Sequence, residues 1–168
     1  MRACRRPVSR WWPPRCGSLD ALDEELHTLH QQLAAFARRQ PGCRALQTLY
    51  GVGTITSVAI WAFMGDTRRF SSSAQAVRHT GLDVTVYSSD GKRAPGHLAR
   101  QGPPVLRWAL YEAGCNASRT GSPDHDFYHD TKQRIDHKRA AISVTRKIAR
   151  RSHHILRNLG DQAWAPAT

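Results

Sequence analysis

Acidic residues are scarce in this chain. Thirteen Asp and Glu stand against 25 Lys and Arg, a formal charge of +12. That balance excludes a self-neutralising surface and makes polyanions the natural partners. Long apolar runs are lacking too. The longest, Val58 to Met64, is far short of the ~20 residues needed to cross a bilayer, so no membrane partner is expected. The basic N-terminus is followed by no apolar stretch, which excludes the pattern of a secretory signal. Cysteine is limited to positions 4, 16, 43 and 115. No pair has CxxC spacing, so neither a thiolate metal clip nor a small disulfide scaffold is indicated. Reduced thiols in a cytoplasmic protein are expected. What remains is 168 residues that are 40% hydrophobic, enough for one compact domain with an arm.

The arm is residues 1–17. It holds five Arg, three Pro and the pair Trp11–Trp12, without an acid or any periodicity. Two readings stand equal: a disordered arm that grips phosphates, or a stray start in a disrupted reading frame. From Ser18, a candidate N-cap, Leu19, Leu22, Leu26, Leu29, Leu33 and Phe36 recur at heptad spacing. A coiled-coil-like helix over 18–40 follows, stopped by Pro41-Gly42. It pairs either with another helix or chain, or with its own domain. Residues 18–42 are assigned to this dimerisation helix, 43–160 to the main domain and 161–168 to a tail.

The main domain reads as mainly α. Leu46 to Tyr50 and Thr54 to Phe63 flank Gly51-Val-Gly53, the pattern of a helix-hairpin-helix. Its glycines tolerate close approach, and the free N–H groups of the second helix suit a phosphate. The same pattern also fits a plain helix–helix turn. Ser71 or Ser72 caps a short helix that ends near Gly81. Pro103-Pro104 opens another, with Val105, Leu106, Ala109, Leu110 and Ala113 as its apolar face. A short helix surrounds Phe127 and Tyr128. A long one runs from Lys138 to Leu159 with Ala141, Val144, Ile148, Ile155 and Leu159 buried, and Gly160 ends it. That segment holds seven Lys/Arg and no acid. Arg139, Arg146, Arg150 and Arg157 share one face, a candidate phosphate-tracking surface.

Chemistry is concentrated in residues 83–102, an irregular loop with a brief β-like start at Val84 to Tyr87. Ser88 and Ser89 lie there among Lys92, Arg93, Arg100 and, just beyond, Arg107. A serine hydroxyl can attack a phosphodiester if cations hold the phosphate and offset the developing charge. A Ser-Ser-Asp-Gly segment is also simply a good turn.

Residues 46–159 resemble the C-terminal domain of insertion-sequence transposases of the 110/116/902 group. The marks are L-x-x-L-Y-G-V-G-T-I-T-S near 46–57, G-D-T-R-R-F-S-S near 65–72 and H-T-G-L near 79–82. Y-S-S-D-G-K-R near 87–93 and G-H-L-A-R-Q-G-P-P-V-L-R-W-A-L from 96 to 110 complete them. The resemblance implies a DNA recombinase with a serine nucleophile eight residues after the Gly of the G-L motif. Counted from Gly81, that is Ser89, with Ser88 in reserve. The family has Gly directly after this serine, whereas Asp90 precedes Gly91 here. Lys92, Arg93, Arg100 and Arg107 would hold the phosphate at Ser89. Gly51 and Gly53 would admit the DNA backbone, and the four arginines of the long helix would track it onward.

The resemblance further implies DNA as partner, a structured guide RNA in the better-known members, and a homo-oligomer formed through the 18–40 helix. Such a protein works in the cytoplasm, associated with the nucleoid. Family members begin with a RuvC-like domain whose four acidic residues bind Mg²⁺. Only 17 acid-free residues precede the heptad helix here. The expectation is that this half is missing, that no cofactor is held by this chain, and that strand exchange by the chain alone is doubtful. Competing readings are a non-catalytic nucleic-acid-binding module, a helix-hairpin-helix DNA glycosylase using Asp66, and a tyrosine recombinase using Tyr128. Asp124, His125, Asp126, His129 and Asp130 also resemble metal ligands, with His125 and His129 at i,i+4 and His153 or His154 as a third imidazole that could fold back, against the plainer reading of a polar helix surface.

Overall fold

A computed structural model describes residues 13–85, 88–89, 92–93 and 96–166, with side chains for 17–84 and 96–166. Residues 1–12, most of the basic arm, lie outside the described set. Seven α-helices dominate it: α1 (Pro13–Arg39), α2 (Pro41–Leu46), α3 (Thr54–Met64), α4 (Ser73–His79), α5 (Pro104–Ala117), α6 (His125–Arg134) and α7 (His137–Leu159). The chain is therefore mainly α, as its periodicities predict.

Two boundaries differ from expectation for the same physical reason, the helix compatibility of proline in a first turn. Helix α1 starts at Pro13, so Ser18 lies inside it instead of capping it. Pro41 ends α1 and also opens α2, which stops at Leu46 where a helix was expected to begin. Residues 47–53 then form the turn into α3.

Helix α5 crosses the interior. Leu106, Ala109, Leu110, Ala113 and Ala117 bury completely against α3 and α7. The expected apolar face needs one correction, because Val105 points outward and is exposed. Gly114 permits the close crossing of α5 and α7, since a Cβ there would overlap the Thr145 side chain. From α7, Ala141, Val144 and Ile148 enter the core, whereas Ile155 and Leu159 are only half-buried. Gly160 ends α7 with φ +56°. The chain after it does not trail away. A 3-10 turn over Gly160–Trp164 stacks Trp164 on Trp61 at 5.1 Å, and the Ala163 carbonyl accepts bonds from Trp61 Nε1 (2.7 Å) and Gln40 Nε2 (2.9 Å).

Only the C-terminal end of α1 joins this body. Ala37 is buried and Phe36 packs on Trp61 at 5.4 Å. Leu19, Leu22, Leu26 and Leu29 remain exposed along the rest of the seam.

Candidate nucleic-acid interface

Residues 83–102 carry more regular structure than a loop. Strand β1 (Val84–Thr85) pairs antiparallel with β4 (His97–Leu98), and between them β2 (Ser88–Ser89) pairs with β3 (Lys92–Arg93). The backbone bonds Ala99 N to Asp83 O (2.9 Å) and Arg100 N to Gly81 O (3.1 Å) extend the outer ladder towards the core. In the inner ladder Ser88 is the register partner of Arg93, and Ser89 of Lys92. Ser88 follows Thr85 by three residues, so the serines start within about 11 Å of the outer ladder.

The base of this hairpin is clamped by two glycines. A Cβ on Gly81 (φ +72°) would lie 2.7 Å from Gly102 N, and one on Gly102 would overlap the His79–Thr80 backbone. The H-T-G-L and R-Q-G-P-P motifs are thus two backbones in direct contact, a closeness only glycine allows. Arg107 Nη1 donates to Gly102 O at 3.3 Å and Arg146 Nε to Leu82 O at 2.7 Å. Burial lowers the Arg146 pKa, a cost partly offset by Asp83.

Two clefts open beside this knot. One, of about 350 Å³, lies between the outer ladder and α7, with Arg139 and Arg146 in its wall. The other, of about 490 Å³, is bounded by Arg100, Arg107, Trp108, Tyr111 and Lys138. Leu98 and Ile142 belong to both walls. Arg100 sits at φ +54°, a left-handed conformation that is uncommon for a non-glycine residue.

The remaining sequence candidates divide. Arg139 pairs with Asp136 at 3.3 Å and Arg150 is exposed, whereas Arg157 Nη1 donates to Phe70 O at 3.1 Å. Half of the α7 arginine face therefore serves main-chain carbonyls of neighbouring segments. Gly51 has φ +86°, and the space a Cβ would need is occupied by the α5 backbone at Ala113 and Ala117. Gly53 is open and precedes α3. Of the acidic and histidine cluster, Asp124 is 1% exposed and bound by Lys147 (2.9 Å) and by both Arg151 guanidinium nitrogens. Burial alone would raise its carboxyl pKa. The bonds from Arg151 and Lys147 outweigh that and hold it below the ordinary carboxylate range. His125 Nδ1 contacts Ser118 O and His129 contacts Gln133. Among the described residues no group of three or more His, Cys, Asp or Glu could hold a metal ion.

Sequence reasoning missed Trp108 and Lys138. A signal was present for Trp108: it falls on the side of α5 opposite Leu106, Ala109, Leu110 and Ala113, where an apolar ring has no core to enter.

Residues 43–129 match the profile of the Transposase IS116/IS110/IS902 family. The chain is 30% identical over 88 residues to the transposase for insertion sequence element IS1111A of Coxiella burnetii, covering 52% of this chain and 24% of that protein. It is 26% identical over 137 residues to a "probable family 20 transposase" of Pseudomonas aeruginosa, covering 79% and 40%. The insertion element IS110 uncharacterized 43.6 kDa protein of Streptomyces coelicolor is 27% identical over 138 residues, covering 80% and 34%. The chain thus spans less than half the length of these curated relatives. The family match itself takes in just over half of the chain and contains the serine hairpin and its glycine clamp: this chain belongs to the Transposase IS116/IS110/IS902 family.

Proposed function

We propose that this chain is the part of an insertion-sequence transposase that binds DNA and presents Ser89 as nucleophile for phosphodiester strand exchange, with Ser88 in reserve. The carrying observation is the register of the inner ladder, in which each serine stands opposite a cationic residue, Ser89 with Lys92 and Ser88 with Arg93. Attack of the serine oxygen on phosphorus would form a phosphoserine bond and break the bond to one deoxyribose oxygen. The serine proton ends on that leaving oxygen, so the step balances as a transesterification that conserves the phosphodiester. The nearby cations would hold the phosphate and offset its added charge.

Around this centre, Arg100 and Arg107 extend the cationic surface, and Arg139 and Arg150 continue it along α7. Arg146 braces the base of the hairpin at Leu82, and Arg157 braces Phe70 ahead of α4. Gly51 would fix the turn before α3, leaving Gly53 and the α3 N-terminus to meet a DNA phosphate in helix-hairpin-helix fashion. The described residues offer no donor set for a metal. The Mg²⁺ implied by the family resemblance would belong to a RuvC-like domain. A guide RNA, and a homo-oligomer through the exposed α1 seam, complete the proposal.

The test uses labelled DNA spanning an element junction, with a bridging phosphorothiolate at the scissile position so that the sulfur leaves readily and the adduct persists. The wild-type chain should retain label through denaturing electrophoresis, because the trap needs only the serine's attack on an activated phosphate and not completed strand exchange. Ser89→Ala should abolish the adduct and leave binding within about twofold. An adduct that survives in the double variant Ser88→Ala/Ser89→Ala contradicts the assignment.

A further inference from the structure

The cleft of about 490 Å³ between α5 and α7 combines features that duplex binding leaves unused. Trp108 is 51% exposed although it is a large aromatic ring. Tyr111 lies one helical turn further along the same side of α5. Arg100 and Lys138 border the same cleft and are exposed, and the carboxylate that the Lys138 charge acts on, Asp136, is itself paired with Arg139 at 3.3 Å. Arg100 reaches its position from a left-handed backbone, a conformation held by the Gly81–Gly102 contact and by its own N–H bond to Gly81 O. Such local strain is a mark of functional positioning. Phosphates of intact duplex need cations but no exposed indole. An unpaired nucleotide needs both, because its base presents a π-face for stacking while its phosphate remains charged.

We infer that this cleft takes an unpaired base of single-stranded DNA, stacked on Trp108, with the adjoining phosphate held by Arg100 and Lys138. Arg107, committed to Gly102 O, shapes the floor. DNA is the source because the inference rests on the DNA-binding function proposed above. The cleft also shares Leu98 with the outer ladder from which the serine hairpin extends. A base drawn out of the duplex there would expose the neighbouring phosphodiester to the serines, at an unstacking cost of the kind that base-flipping proteins overcome.

The experiment compares three labelled oligonucleotides of equal length by fluorescence anisotropy: oligo-dT, an abasic deoxyribose-phosphate chain, and oligo-rU. Duplex DNA is the fourth probe. The wild-type chain should prefer oligo-dT to the abasic chain by about tenfold, the scale of one stacked base. Trp108→Ala should erase that preference without changing abasic or duplex binding. Trp108→Phe, which keeps a ring, should restore part of it. The ring is exposed, so these variants should keep the wild-type melting temperature. The inference is overturned if Trp108→Ala leaves the dT preference intact, if it weakens dT and abasic binding equally, or if oligo-rU binds more tightly than oligo-dT. Failure of the wild-type chain to bind duplex or single strands at low salt would instead overturn the parent proposal.

Discussion

Helices α1 and α7 carry the plainest apolar periodicities in the chain, yet the fold uses them in opposite ways. The first half of the α7 stripe is sealed in the core, with Ala141, Val144 and Ile148 out of solvent, and its later members Ile155 and Leu159 are half-buried. The heptad seam of α1 stays open from Leu19 to Leu29 and enters the body only at Phe36 and Ala37. Periodicity identifies the apolar side of a helix but not what covers it. One helix completes a core within the chain. The other presents a narrow seam of the kind that suits a second helix.

This contrast can be broken at several points, beginning with the greatest expected loss. Leu110→Ala, at the α5 crossing, should cost about 2–5 kcal/mol of unfolding free energy in denaturant titration, the range for a fully buried leucine. Asp124→Asn should cost about 2 kcal/mol by the same measurement. It removes a buried charge-assisted pair, while Lys147 and Arg151 retain partial access to water. Ser72→Ala should cost about 1 kcal/mol, because the Ser72 hydroxyl caps α4 by accepting from Gln75 N at 3.3 Å.

A pH effect of smaller size should come from α7. Burial, reinforced by His154 and Arg157, holds the His153 imidazole below its ordinary pKa. As pH falls through about 6.5 the unfolded chain takes up a proton that the folded chain resists, so stability is complete above that value and declines below it. The melting temperature should fall between pH 7.5 and 5.5, and His153→Phe should flatten that part of the profile. The smallest effect belongs to the α1 seam. Leu22→Ala and Leu26→Ala should change the stability of the dilute chain by less than about 0.5 kcal/mol. Under the proposed oligomer, sedimentation at higher concentration should shift towards monomer. A loss on the scale of Leu110→Ala would mean that α1 is covered within its own chain.

Much of this fold was legible because its punctuation is local. Pro104 at the first turn of α5, Ser72 before α4 and Gly160 after α7 act through their own backbone preferences. The partners of long side chains were not legible. Arg139, Arg146, Arg150 and Arg157 share a helical face by spacing. Spacing cannot distinguish a phosphate from the carbonyls of Phe70 and Leu82, which two of them reach across 87 and 64 residues of sequence. Asp124 similarly reads as a surface carboxylate until α6 and α7 pack and bring it to Lys147 and Arg151. Gly51 suggested room for a ligand, but the neighbour it accommodates is α5. The serine hairpin lay between these cases. Its residues stood out through the family resemblance, while the pairing of Ser89 with Lys92 emerged only in the folded register.

The most direct measurement is peptide mapping by mass spectrometry of the adduct trapped on phosphorothiolate DNA. The nucleotide-bearing residue should be Ser89, within the hairpin that pairs it with Lys92. A nucleotide on Tyr128, or on any residue outside the hairpin, would contradict the account.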